Sequence, residues 1–172
     1  MTTSAERLPI RPTLRFVLAH PAHFLAFGFG AGLVRPAPGT WGTLVALPLY
    51  WLVAPRVHEL VFLACIACLF AAGVWACSRT GRALGVPDHG GMVVDEIVAY
   101  LLVLYWLPRE LPWQAAGFVL FRAFDIVKPP PIRQADRHVK GGFGVMLDDL
   151  IAAFYAVLVL AAARSVIGQG GI

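Results

Sequence analysis

The sequence predicts an all-α, multi-pass membrane protein with about five apolar helices and a polar site facing the cytoplasm. Three observations carry that prediction. The 172 residues are 59% hydrophobic with a mean hydropathy of +0.73, above the usual apolar share of soluble domains. Only 14% of residues are charged, too few to cover a soluble surface of this size comfortably. Finally, the basic residues divide unequally between the two sides of any five-span arrangement.

Taken in order, the apolar segments are 41–54, 60–77, 97–107, 113–124 and 150–163. A crossing helix needs about 20 residues, which only the second segment approaches. The others must recruit flanking residues, thin the bilayer or insert partially. If all five cross with the N-terminus inside, the inner side receives Arg7, Arg11, Arg15, Arg35, Arg79, Arg82, Arg122, Lys128, Arg133, Arg137 and Lys140. The outer side then keeps only Arg56, Arg109 and Arg164. Eleven against three follows the positive-inside rule and puts the acid-rich stretches on the cytoplasmic side.

Local signals set the expected boundaries. Thr40 reads as an N-cap for the run from Trp41, Pro108 and Pro112 bracket a short outer turn, and Pro129–Pro131 stop a helix ending near Lys128. Gly141, Gly142 and Gly144 read as a flexible turn before Asp148 and Asp149. Those two acids, like Asp95 and Glu96, are then expected to open a helix, where the macrodipole favours negative charge. Arg7, Pro9, Arg11, Pro12 and Arg15 make the N-terminus unlike a signal peptide. Cys65, Cys68 and Cys77 lack a second pair or a nearby histidine and read as small packing residues. A formal net charge of +4 without a basic run argues against nucleic-acid binding.

Function is signalled by the acids. Eight of ten fall within 62 residues, and all of these but Glu110, namely Asp88, Asp95, Glu96, Asp125, Asp136, Asp148 and Asp149, lie on the expected cytoplasmic side. A carboxylate at the edge of a hydrocarbon region is disfavoured by several kcal/mol unless paired, solvated or bound to a cation. Two acid pairs joined by Asp125 and Asp88 would form an oxygen-rich, histidine-poor shell suited to a hard cation such as magnesium; the alternative is that they cap helices. In the segment 121–133, three prolines are expected to hold an extended chain that fixes Lys128 and Arg133 near Asp125, where fixed cations bind phosphate; anchoring to anionic lipid is the alternative. The glycine-rich segment 28–42 lacks GxGxxG or P-loop spacing and reads equally as a re-entrant turn or an anion nest. His89 and His138 lie beside the acids but show no ligand spacing.

Several strings together resemble the bacterial phosphatidylglycerophosphatase A family. They are Pro38-Gly39-Thr40-Trp41-Gly42; Asp88-His89-Gly90 through Val94-Asp95-Glu96; Phe121-Arg122 through Asp125 with Lys128-Pro129 to Ile132; and Gly141-Gly142-Phe143-Gly144-Val145-Met146 before Asp148-Asp149. The resemblance implies a magnesium-dependent, multi-pass inner-membrane phosphatase that removes the terminal phosphate of phosphatidylglycerophosphate and leaves phosphatidylglycerol. It implies a metal set of Asp88, Asp95, Glu96, Asp125, Asp148 and Asp149, with catalytic roles for Asp95, Asp125, Asp149 and Lys128. Substrate contacts are expected from Lys128, Arg133, Arg122, Gly39 and Thr40. Ala99 and Val145 depart from the glycine and isoleucine common in the family. On this reading residues 1–27 form an N-terminal cytoplasmic or interfacial segment, 28–163 the membrane phosphatase domain and 164–172 a short tail. Oligomeric state is not set by the sequence. The competing readings are a small ion or proton transporter using the acids as a relay, and a soluble or peripheral helical bundle.

Overall fold

The computed structural model describes residues 12–169; the N-terminal Arg7 and Arg11 and the last three residues of the expected tail lie outside that range. The described chain is helical: α1 (Leu14–Leu18), α2 (Pro21–Ala26), α3 (Pro38–Val53), α4 (Glu59–Leu84), α5 (Val94–Trp106), α6 (Leu111–Val127), α7 (Ile132–His138) and α8 (Gly141–Gln169), with 3-10 turns at Gly28–Leu33 and Ala54–Arg56. Each apolar segment read from the sequence lies within one of the longer helices or its adjoining turn. Two helices, α4 and the first 26 residues of α8, are long and apolar enough to cross a membrane.

Helix α5 is the central rod. Val94, Ile97, Val98, Ala99, Tyr100, Leu101, Val103 and Leu104 are all buried, because α3, α4, α6 and α8 pack around it. A helix apolar on every side has no solvent face to offer and takes the interior position. Helix α4 is capped by His58, whose Nδ1 accepts a hydrogen bond from the Leu60 N–H at 3.2 Å. It ends at Gly85 in the left-handed region (φ 73°), the usual glycine stop.

Three local expectations are corrected. Thr40 is not the cap of α3: the helix starts at Pro38 behind Ala37, which is left-handed (φ 58°) and offers no side-chain bond. A proline in the first turn costs no hydrogen bond and its fixed φ suits the helix, so the start moves upstream. The glycines 141, 142 and 144 are the first turn of α8 and not a flexible turn before it. A Cβ on Gly142 would lie 2.1 Å from the Val74 carbonyl oxygen and 2.4 Å from Ser78 Oγ, so glycine here permits close packing of α8 on α4. Asp148 and Asp149 therefore sit two turns inside α8, where the macrodipole no longer favours them. The proline run is likewise not extended. Pro131 precedes α7, which carries Arg133 on an exposed surface.

Candidate active site

The acids reach one end of the bundle by three routes. Asp95 and Glu96 occupy the first turn of α5, as the sequence predicts, and Asp95 Oδ1 accepts from the Glu96 N–H at 3.0 Å. Asp149 arrives from α8. One carboxylate oxygen from each of Asp95, Glu96 and Asp149 lies within 4.8 Å of the others. From α6, Arg122 donates to Asp125 at 2.6 Å, an i,i+3 pair, and to Glu96 at 3.5 Å.

Gly39 closes this group from above. A Cβ at that position would stand 2.2 Å from Glu96 Oε1 and 3.0 Å from both terminal nitrogens of Arg122. Only a residue without a side chain lets the start of α3 rest on that ion pair. Thr40 follows in the same turn, and the Thr43 hydroxyl donates back to the Gly39 carbonyl at 2.8 Å.

A second group adjoins the first. Lys128, held left-handed at the C-cap of α6 (φ 46°), donates to Asp136 at 3.0 Å and to Asp148. Burial opposes the lysine charge, but the bonds to Asp148 and Asp136 outweigh it and hold the ammonium above the usual lysine range. Asp88, on the exposed turn before α5, faces Lys128, Asp136 and Asp125. A cavity of about 100 Å³ opens here, lined by Pro87, Asp88, Asp136, Val139 and Lys140. A larger cavity at the opposite end, lined by Tyr50, Glu59, Trp106 and Arg109, contains none of the clustered acids, so volume does not locate the chemistry.

Charge decides what the site needs. Seven carboxylates face two paired cations, Arg122 and Lys128. Glu96 Oε2, Asp148 Oδ1 and Asp149 Oδ2 are buried oxygens without a hydrogen-bond partner. Each such group costs about 1–3 kcal/mol or more when charged. The donor set is all oxygen, which suits a hard divalent cation and not zinc or copper; the residues fit magnesium.

Of the residues singled out from sequence, Asp88, Asp95, Glu96, Asp125, Lys128, Asp148, Asp149, Arg122 and Gly39 lie at this end in the two adjoining groups. Arg133 does not join them: it is exposed on α7 and forms no ion pair among the described residues. Asp136, one of the clustered acids, also belongs here, because its carboxylate orients Lys128. Its signal was only its place in the cluster, since a partner eight residues away matches no helical spacing.

Lys128→Met tests this second group. It leaves Asp148, 5% exposed, without its cation, and is expected to destabilise the fold by about 2–3 kcal/mol, below the usual buried-pair range because the lysine side chain is 26% exposed. Adding Asp148→Asn should restore much of that loss in a double-mutant cycle of thermal unfolding.

The sequence model of the family described as Phosphatidylglycerophosphatase A matches residues 24–164, a span containing every acid of both groups. The chain belongs to the phosphatidylglycerophosphatase A family. It is 45% identical over 151 residues to a phosphatidylglycerophosphatase A of Haemophilus influenzae, covering 87% of this chain and 92% of the relative. A phosphatidylglycerophosphatase A of Escherichia coli is 41% identical over 147 residues, 85% of each chain. A Bacteroides thetaiotaomicron protein, provisionally named a phosphatidylinositol-3-phosphatase, is 41% identical over 149 residues, covering 82% of this chain and 92% of its own. No solved structure matches the chain.

Proposed function

We propose that this protein hydrolyses the terminal phosphomonoester of phosphatidylglycerophosphate to phosphatidylglycerol and phosphate, using a divalent cation, magnesium, held by Asp95, Glu96 and Asp149. The observation that carries the reading is their convergence within 4.8 Å beside orphaned buried oxygens, in a chain of this family. When bound, the cation supplies charge neutralisation and Lewis acidity at a phosphate oxygen.

The chain's own groups do the rest. Arg122 and Lys128 are the two cations facing the acids, and each can exchange a carboxylate contact for a phosphate oxygen. Asp125 and Asp136 hold them in place meanwhile. Asp148 is the carboxylate positioned to take a proton from an attacking water: Lys128 fixes Oδ2, and Oδ1 has no partner. The water oxygen joins phosphorus as the bond to the glycerol oxygen breaks, and that oxygen takes up a proton from solvent while Asp148 returns its own to solvent, so that the proton count balances. Arg133, on the exposed face of α7, remains a candidate for a first encounter with the anionic headgroup.

Five apolar helices crossing a bacterial inner membrane with the N-terminus inside would set this site on the cytoplasmic face, as the eleven-to-three division of basic residues supports. The diacyl tail then stays in lipid while the phosphate reaches the acids. A transporter would need acids strung through the membrane; here they gather at one end.

The test is phosphate release from phosphatidylglycerophosphate in mixed micelles, with magnesium or with EDTA, alongside phosphatidylinositol-3-phosphate. Release that needs the cation and prefers phosphatidylglycerophosphate is expected. No release under either condition rejects the enzyme, and preference for the inositol lipid reassigns the substrate.

A further inference from the structure

The N-terminal elements display apolar side chains that the bundle does not cover. Leu14 and Leu18 of α1 are 60% and 62% exposed, and Phe24 of α2 and Phe29 of the 3-10 turn are 37% and 47% exposed. The opposite face is not spare surface: Val17, Ala22, Ala26 and Phe27 are fully buried. The hairpin formed by α1, α2 and the 3-10 turn is therefore apolar on two sides, one in the core and one unpartnered.

Backbone strain helps make this display. Phe29 is left-handed (φ 60°), a conformation costing a non-glycine residue about 1 kcal/mol or more. It brings the exposed ring into an edge-on pair with Phe24 at 5.5 Å. In water that arrangement would be disfavoured twice, once by strain and once by exposure.

The height of the hairpin along the bundle says what covers it. Ala22 and His23 bond to Thr80, and His20 lies 6.1 Å from Trp75, so α2 runs beside the last turns of α4. That helix has 26 residues and is about 39 Å long, against a hydrocarbon core of about 30 Å. Its overhang is thus about 4–5 Å at each end, whereas Thr80 and Trp75 lie about 6 and 14 Å from Leu84. The hairpin thus reaches from the hydrocarbon edge to about 9 Å inside it, on the same end as the carboxylates, to which it is tied by the Val93 N–H bond to the Ala26 carbonyl at 2.8 Å.

Charge agrees. Between Glu6 and Glu59 the chain has no acid, while Arg15 and Arg35 flank the exposed apolar residues. We infer that α1, α2 and the 3-10 turn form a monotopic collar that inserts Leu14, Leu18, Phe24 and Phe29 into the anionic leaflet bordering the site. The inference rests on the membrane reading above and adds to it a surface that sets the depth of the site against the lipid headgroups. An apolar face flanked by arginines is the chemistry of an interfacial helix.

The test places a fluorophore at Leu18→Cys, Phe29→Cys or Arg137→Cys, in protein whose Cys65, Cys68 and Cys77 are replaced, reconstituted in vesicles of phosphatidylcholine with phosphatidylserine. Quenchers carried on lipid chains should quench Leu18 and Phe29 at least about threefold more than Arg137, with aqueous iodide giving the reverse order. Iodide quenching equal at all three positions overturns the collar whether or not the protein is a phosphatase. Separately, Phe24→Ser with Phe29→Ser should raise KM for long-chain substrate about tenfold and leave turnover of a short-chain, water-soluble analogue unchanged. Equal loss on both substrates overturns the role of the collar in meeting the leaflet, and the analogue without any turnover counts against the enzyme reading alone.

Discussion

Asp149→Asn is expected to lower phosphate release at least about a hundredfold and, in EDTA, to raise the unfolding temperature. The two effects have opposite signs because one side chain serves two states. Asp149 is 4% exposed, and its Oδ2 has no partner. With a cation bound, that oxygen completes the shell. Without one, it adds negative charge to a pocket already shared with Asp95, Glu96, Asp125 and Asp148. An amide keeps the volume, removes the charge and offers a donor to a neighbouring carboxylate. A gain of about 1–2 kcal/mol in the metal-free state follows from relieving like-charge crowding. Steady-state assays with magnesium and thermal unfolding in EDTA read the two halves separately. A fall in both would mean that Asp149 is a structural residue and that no cation depends on it.

Gly39→Ala is the second large effect. In a helix the substitution alone should favour folding by about 1 kcal/mol, but the new methyl meets Glu96 and Arg122 at the distances given above. The overlap costs about 1–3 kcal/mol, so the net change in stability should be small and unfavourable. Activity should suffer far more, by about a hundredfold, because a displacement of about 1 Å in a positioned group has that consequence. The loss should appear in kcat, with Gly42→Ala as a comparison that strikes Val93 instead. Unchanged kcat in Gly39→Ala would show that the Arg122–Glu96 pair tolerates movement and is not part of the machinery.

The chain announced its helices and its acids more clearly than their mutual arrangement. Apolar runs bounded by proline and glycine located α3 to α6 and α8 because those residues act locally. Asp95 and Glu96 were legible at a helix start for the same reason. Gly141 to Gly144 misled because a glycine that frees a turn and a glycine that admits a neighbouring helix look alike in one sequence; only the contact with Val74 and Ser78 separates them. Thr40 lost its capping role to a proline two residues earlier. Lys128 is legible as a site residue, but its partners, Asp136 and Asp148, come from helices whose approach depends on the whole bundle. Three prolines in a row suggest a strut that would hold Arg133 inward, whereas the chain turns and sets it on the outside of α7. What remained hidden was long-range: which carboxylates share a cation, and which cations the carboxylates already hold.

Binding of manganese, followed by electron paramagnetic resonance on the purified protein, tests the cation site most directly. The free-ion signal should fall on adding protein, return on adding excess magnesium, and persist when Asp95→Asn protein replaces the wild type. Equal loss of signal with both proteins, or phosphate release at full rate in EDTA, would contradict a cation held by Asp95, Glu96 and Asp149.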